Sequence, residues 1–438
     1  MTFGAFQARS LLAPAPSGEA FSSAPLSPLL PISAGPLSSA ITGGPLRIGH
    51  YMRHMFEPGG IASYIRRVSE AQRAAGHEVV YFDRSDPTAV CLHSHPDGQA
   101  IIYTADDHDL LRRATELGLD ILHAHTTLDP EILPTPGAMG AGPQIIRTVH
   151  THAPYCPSQG RFLKRPGVPC DRGYSLAGCL WGHLFNRCGS ARFAVLRKNF
   201  RTTQQERAAL PHLITVVVSQ FLKDEMVRAG YPAKNIHVLH LPAPPANDPT
   251  AATSAPSEDA RPRFLFLGRM IPHKGVDWLL RSLRLVKADV VVDLGGAGGH
   301  EAEYRDLARR RGLESRTRFL GWLSPQQVGH SLSTARALIF PSLWHEPGGT
   351  VAFEAMAHAK PVIVSRVGGM PEVVEDGVTG LIVPPGDEAA LAHAIDTLAA
   401  SEPLARRMGA AGLQRATDRY NLDEHVAQLM NLYQGVIA

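Results

Sequence analysis

The chain alternates between two signatures. Short unbroken apolar runs, which mark strands buried on both faces, are followed by glycine-rich turns and then by segments whose apolar residues recur three and four positions apart, the period of a helix with one buried face. Residues 46–52 form the first run, Ile61, Ile65 and Val68 share a face of the helix after it, and residues 76–82 return as a strand, completing a β-α-β unit. Residues 120–125, 144–150 and 214–219 repeat the run, the first two ending in histidine, and residues 220–229 continue as a helix. A second series opens at 263–268, with Leu279, Leu280 and Leu283 inward on the next helix, and continues through 290–296, 318–322, 337–342, 361–365 and 380–383. Strands that alternate with helices require parallel, doubly wound sheets. The fold class expected is therefore α/β, with two Rossmann-like domains facing a central cleft.

Composition adjusts this picture at the edges. A length of 438 residues suffices for two full cores, and 44% hydrophobic with 19% charged residues describes a globular enzyme. The net charge of +3 is too small to argue for a nucleic-acid partner. Residues 1–44 are rich in Ala, Pro, Ser and Gly and read as a leader without fixed structure, since proline interrupts every apolar pair a secretory signal would need. Residues 242–262, dominated by Pro, Ala, Asp, Ser and Thr, read as a linker between a domain at 45–241 and one at 263–416. No apolar run is long enough for a transmembrane helix, so a cytoplasmic protein is expected, with a peripheral association at the inner face of a membrane as the variant.

The densest candidate chemistry lies at 346–354. Glu346, Gly348, Gly349, Thr350, Val351 and Glu354 form a turn between a strand and a helix, with a carboxylate on either side. Such a turn aims free N–H groups and the positive end of a helix dipole at a ligand above it, which favours phosphate. Carboxylates accept from sugar hydroxyls, so a diphosphate between two hydroxyl-bearing rings, a nucleotide sugar, is the natural ligand. Arg269 and Lys274 follow Gly268 at the end of another strand and are placed to meet a diphosphate, while Gly59 and Gly60 open a second helix suited to approach it from across a cleft. His150 and His125 close their strands, where ligands of open α/β sheets sit. Residues 295–299 lack dinucleotide spacing and read as a turn beside the nucleotide pocket, and Asp106 reads as a helix cap before it reads as a metal ligand.

Two further segments carry alternatives. Cys156, Cys170, Cys179 and Cys188 crowd an insertion at 156–188; they suit a structural zinc, ordinary thiols or disulfides, and the absence of C-x-x-C leaves the three open. Arg187, Arg192, Arg197, Lys198, Arg201 and Arg207 surround Phe193, Leu196 and Phe200 at helical spacing. That helix either packs its apolar face on the domain or meets an anionic membrane surface or a lipid-linked acceptor.

Together, Gly59-Gly60, His150, Gly268-Arg269, Lys274-Gly275, the 346–354 turn and residues 368–372 resemble the retaining glycosyltransferases of family 4, which have the GT-B fold; the resemblance covers about residues 46–438. It implies transfer of a sugar from a UDP- or GDP-sugar to a glycan or lipid-linked acceptor in polysaccharide or glycoconjugate assembly, with no cofactor or catalytic metal. The resemblance places Arg269 and Lys274 on the diphosphate, Glu346 on the transferred sugar, Glu354 on the ribose and His150 beside the reacting carbon. It puts the donor against Gly59, Gly60, Gly268, Gly348, Gly349, Thr350 and Val351, and makes 417–438 a helix crossing back onto the first domain. Alternatives on the same architecture are a nucleotide-sugar epimerase, a sugar phosphorylase and a non-catalytic nucleotide-sugar scaffold.

Overall fold

The computed structural model describes residues 44–53, 59–84, 92–94, 100–133, 142–190, 192–245 and 260–437. The expected leader, up to residue 43, and most of the expected linker, 246–259, lie outside the described residues, as do Glu57 and Pro58.

Among the described residues one sheet has eight strands, ordered across the sheet as Ile236–Val238, Ile214–Val217, Gln144–Val149, Ile121–Ala124, Arg47–Met52, Glu78–Asp83, Ala100–Tyr103 and Leu92–Ser94. All neighbours run parallel except the antiparallel edge pair of Leu92–Ser94 with Ala100–Tyr103. The second sheet is parallel throughout, ordered Thr317–Gly321, Val291–Gly295, Arg263–Leu267, Ala337–Phe340, Val362–Ser365 and Gly380–Val383. Two parallel sheets with helices between their strands are the expected α/β architecture. Strand order reverses between Arg47–Met52 and Ile121–Ala124 in the first sheet, and between Arg263–Leu267 and Ala337–Phe340 in the second. Each reversal opens a crevice above the strand ends.

Ion pairs and backbone donors tie the two halves and the insertion together. Glu372, from the second half, accepts from the amides of Gln220 (2.7 Å) and Phe221 (2.8 Å) at the start of helix Gln220–Arg228, and from His240 at 2.9 Å. A carboxylate there meets two unpaired donors and the positive end of the dipole, and its pKa is lowered. The fully buried Arg161 of the insertion pairs with Glu225 of that same helix at 2.7 Å. The last helix, Leu422–Ile437, lies against helix Gly60–Ala74, with Leu429, Met430 and Tyr433 entirely buried.

Asp106 caps helix Asp107–Glu116 by accepting from the Asp109 amide at 2.8 Å. Its neighbour Asp107 is consumed by Tyr51, Arg84 and the Asp129 amide.

Two helical glycines make opposite predictions. A Cβ on Gly409, in helix Glu402–Arg419, would stand 1.9 Å from the Ala359 carbonyl oxygen, whereas one on Gly435 would meet nothing within 4 Å. Gly409→Ala should therefore destabilise by about 1–3 kcal/mol through overpacking, while Gly435→Ala should stabilise by about 0.5–1 kcal/mol through helix propensity. Urea denaturation of the two variants beside the parent protein checks both signs.

Candidate active site

Glu346 and Lys274 emerge from the two strands that flank the reversal in the second sheet, so the topology alone brings them together. Lys274 Nζ donates to Glu346 Oε1 at 2.6 Å. The Ser342 hydroxyl and the Trp344 indole N–H donate to the same oxygen, each at 2.5 Å. The ammonium also lies 5.2 Å from the centre of the Phe340 ring and 5.1 Å from that of Trp344. The aromatic faces partly replace the water lost on burial. Three donors on one oxygen leave Glu346 Oε2 to accept from a ligand, and the residue's 4% exposure fixes the carboxylate's direction.

The turn that follows is shaped by close approach. Gly349 has φ 56° and a Cβ there would stand 2.0 Å from Met370 Cε; Gly368 has φ 55° and its Cβ would stand 2.3 Å from the Glu346 carbonyl oxygen. Both positions require glycine on conformation and on space. Helix Thr350–Ala357 starts on Gly349, leaving its first N–H groups free above the turn. It ends earlier than Lys360, with His358 as its cap and Ala359 left-handed at φ 51°.

The opposite wall comes from the first half. A Cβ on Gly60 would touch the Thr350 hydroxyl at 3.1 Å, so the helix starts at Gly60 and at Thr350 face each other across the crevice. Gly59 is the extended N-cap of helix Gly60–Ala74, and Gly348 abuts Leu241 and Val218 of the first half. Burial raises the pKa of Glu354, on the first turns of its helix, and the charge of Arg67 from helix Gly60–Ala74 acts in the opposite sense. Arg67 itself donates to the Pro242 and Ala243 carbonyls. Arg269 is exposed beside Gly268 at the end of strand Arg263–Leu267. The glycine turn at 295–299 packs backbone on backbone there: a Cβ on Gly296 would reach the Gly268 carbonyl oxygen at 1.9 Å.

His150 is the last member of a hydrogen-bonded row. Gln72 Oε1 lies 2.8 Å from His50 Nε2, His50 Nδ1 lies 3.0 Å from His125 Nε2, and His125 Nδ1 lies 3.1 Å from His150 Nε2. Burial holds every ring neutral: the pKa of His50 falls to about 4, that of His150 to about 3, and that of His125 well below the usual value. The Gln72 amide nitrogen donates to the Met430 thioether, which accepts and cannot donate, and this turns Oε1 toward His50. Each ring then gives its one proton inward along the row, assigning the proton of His150 to Nε2 and its lone pair to Nδ1.

His123, whose strand position pairs with His50, is bonded to Tyr433 and to Thr148. Among the described residues, His50, His123 and His125 are the trio of potential metal ligands whose donor atoms lie within 4.8 Å of one another. Their nitrogens are already spent on each other and on Gln72, His150, Tyr433 and Thr148, so the trio is a neutral network and no ion site. Cys156, Cys170, Cys179 and Cys188 are free thiols. Burial raises the pKa of the last three, that of Cys188 to about 12, and the charge of thiols earlier in the chain adds to each of these shifts.

Arg67, Ser342, Trp344, Gln72 and His50 were absent from the sequence reading. Ser342 and Trp344 precede Glu346 by four and two residues, a spacing with no period that would mark them. The row of histidines depends on strand register, although histidine within two adjacent buried strands was a visible signal.

Two Rossmann-like sheets meeting at an acidic and basic cleft define the GT-B class of glycosyltransferase. Models of the families described as Glycosyltransferase Family 4 and Glycosyl transferases group 1 match residues 58–246 and 249–415. The chain belongs to the family 4 glycosyltransferases. It is 30% identical over 260 residues to alpha-maltose-1-phosphate synthase of Mycobacterium tuberculosis, a match covering 54% of this chain and 67% of that protein. It is 35% identical over 182 residues to D-inositol 3-phosphate glycosyltransferase of Corynebacterium glutamicum, covering 40% and 43%. Solved structures with the same fold include sucrose-phosphate synthase of Thermosynechococcus elongatus, at TM-score 0.66 and 23% identity over 89% of this chain and 99% of that one. Another is Anabaena HepE in complex with UDP and glucose, at TM-score 0.66 and 17% identity over 89% and 100%.

The histidines fix a pH dependence of stability. In the unfolded chain each imidazole binds a proton near pH 6.5; in the folded protein His50 and His425 do so only near pH 4, and His150 only near pH 3. The folded state binds fewer protons across that window, so stability is full above pH 6.5 and is lost as pH falls, at about 1.4 kcal/mol per unit for each ring. Urea midpoints should be level from about pH 8 to 7 and drop steeply toward pH 5; an unchanged midpoint at the lower value would show rings that are hydrated and charged.

Proposed function

We infer that the protein transfers a hexosyl group from a nucleoside diphosphate sugar to a hydroxyl of a glycan or lipid-linked acceptor, with retention of configuration and without a catalytic metal. The observation that carries this reading is the Glu346 carboxylate, clamped through one oxygen by Lys274, Ser342 and Trp344 at the sheet's reversal, with the other oxygen left to accept from a ligand. One relative is named an alpha-maltose-1-phosphate synthase and another a D-inositol 3-phosphate glycosyltransferase, and the HepE structure is in complex with UDP and glucose, which supports a sugar donor of this class.

The chemistry follows from where charge appears. The bond between the anomeric carbon and the phosphate oxygen breaks, and a bond from that carbon to the acceptor oxygen forms on the same face. The acceptor's proton passes to the departing phosphate oxygen. Arg269, Lys274 and the amides of Gly349 and Thr350 stabilise the charge growing on the diphosphate, Glu346 Oε2 orients the sugar hydroxyls, and Glu354 holds the ribose. His150, neutral, offers its Nδ1 lone pair as an acceptor near the sugar. The facing walls at Gly60 and Thr350 exclude water.

Incubation with a panel of UDP-, GDP- and ADP-sugars tests the reading. Release of nucleoside diphosphate is expected with one class of donor, and Glu346→Ala should abolish it while the fold persists. Glu354→Ala should chiefly raise KM. Interconversion of the sugar would show an epimerase, phosphate-dependent release a phosphorylase, and binding without turnover a scaffold.

We also infer that Cys156, Cys170, Cys179 and Cys188 hold a structural zinc that draws their sulfurs together. The Ser158 hydroxyl lies 3.2 Å from Cys156 Sγ and also bonds Cys188, which turns these two side chains toward one point; no three of the four sulfurs lie within 4.8 Å of one another, so the segment would have to tighten around the ion. One zinc per chain is expected by elemental analysis, lost in Cys170→Ser. Metal-free protein whose native thiols all titrate would remove the assignment.

A further inference from the structure

The insertion exposes what a protein normally hides. Leu176, Trp181, Leu184 and Phe185 are 55–58% exposed and Phe193 is 77% exposed. Of the thirteen exposed bulky apolar side chains among the described residues, seven fall between Val168 and Val195, so the apolar surface is concentrated in one segment. Trp181 and Phe185 lie together, ring centres 4.0 Å apart. Helix Leu176–Leu184 is joined to helix Phe193–Ala209 by His183, whose ring is 5.4 Å from that of Phe200. Phe200 is buried, so the second helix packs on the domain through one side and turns Phe193 and Val195 outward.

Charge identifies the partner. No acidic residue occurs between Asp171 and Glu206, whereas Arg172, Arg187, Arg192, Arg197, Lys198 and Arg201 all lie there, and all six are exposed. A second copy of the chain would bring these cations against themselves across a two-fold axis, which opposes self-association. Nucleic acid would use the cations and the aromatic rings but has no use for exposed Leu176 and Leu184. A bilayer with anionic headgroups uses every part: aliphatic and aromatic tips enter the boundary of headgroup and acyl chain, Trp181 sits at that depth, and the guanidinium and ammonium groups meet the phosphates.

We propose that helix Leu176–Leu184 and the start of helix Phe193–Ala209 form a docking face for an anionic lipid bilayer, entered by Trp181, Leu184, Phe185 and Phe193. The inference goes beyond the sugar-transfer reading and does not need it, since a protein that turned over no nucleotide sugar would still dock. Its consequence for that reading is that the acceptor cleft would work beside a membrane.

Flotation of the full chain with vesicles of phosphatidylcholine, with and without phosphatidylglycerol, tests the proposal. Binding is expected only with the anionic lipid and should weaken as salt is raised. The double variant Trp181→Ser, Phe185→Ser and the double variant Arg197→Gln, Lys198→Gln should each bind roughly tenfold less. Both should keep the parent's thermal midpoint, because the altered side chains are exposed. Quenching of tryptophan fluorescence by lipids carrying a spin label near the headgroup should vanish in Trp181→Phe. Equal binding to neutral and anionic vesicles, no binding to either, or a light-scattering mass that doubles with concentration and reverts in the first double variant would each overturn it.

Discussion

One ion pair at one topological position organises the second half. A parallel sheet whose strand order reverses leaves a crevice where two adjacent chains depart in opposite directions, and here Lys274 leaves on one side and Glu346 on the other. A partly buried lysine and carboxylate are each costly alone and tolerable together. The pair is further satisfied by Ser342, Trp344 and the face of Phe340, so the site holds a directed carboxylate oxygen without an uncompensated charge. A ligand that brought its own negative charge would compete with Glu346 for the ammonium.

The first half answers with the opposite strategy. At its own strand reversal it places imidazoles where the second half places ions, and burial strips them of charge. Neutral rings in a row have a direction, because each has one proton to give. The thioether of Met430, on the final helix, sets the direction at one end and His150 displays it at the other. The same helix supplies Tyr433 to His123 and His425 to Tyr64. A helix drawn from the end of the chain therefore helps orient a ring at the cleft.

The alternation of apolar runs and amphipathic segments was enough to read the six strands of the second sheet and the five central to the first, since parallel strands buried on both faces have few other ways to appear in a sequence; the short strands Leu92–Ser94, Ala100–Tyr103 and Ile236–Val238 at the first sheet's edges were not read. The glycine turns at 59–60 and 348–349 were legible because a glycine pair before a helix is visible without coordinates, although the demand for glycine differs among them: Gly349 has a positive φ and a Cβ blocked at 2.0 Å, whereas Gly59 is extended with nothing within 4 Å. What escaped was everything decided by register or by distance along the chain. His50 meets His123 because two strands pair at that rung, and Arg67 reaches the neighbourhood of Glu354 because two helix starts face each other. Trp344 carries no spacing that would single it out. The basic helix was read with one apolar face and two outcomes; the structure divides it, Phe200 inward and Phe193 outward, and no period in the sequence distinguishes the two.

The insertion obeys a different economy from the sheets. Its residues contribute little to the apolar cores, and Gln159, Arg161 and Arg187 adopt left-handed backbone that non-glycine residues avoid. Such a segment needs anchors other than burial. It has the Arg161–Glu225 pair at its root, and Arg207 stacked on Tyr174 and Tyr231. A segment that spends its apolar residues outward must hold itself together by charge and stacking inward, and both halves of that exchange are written into the same stretch of chain.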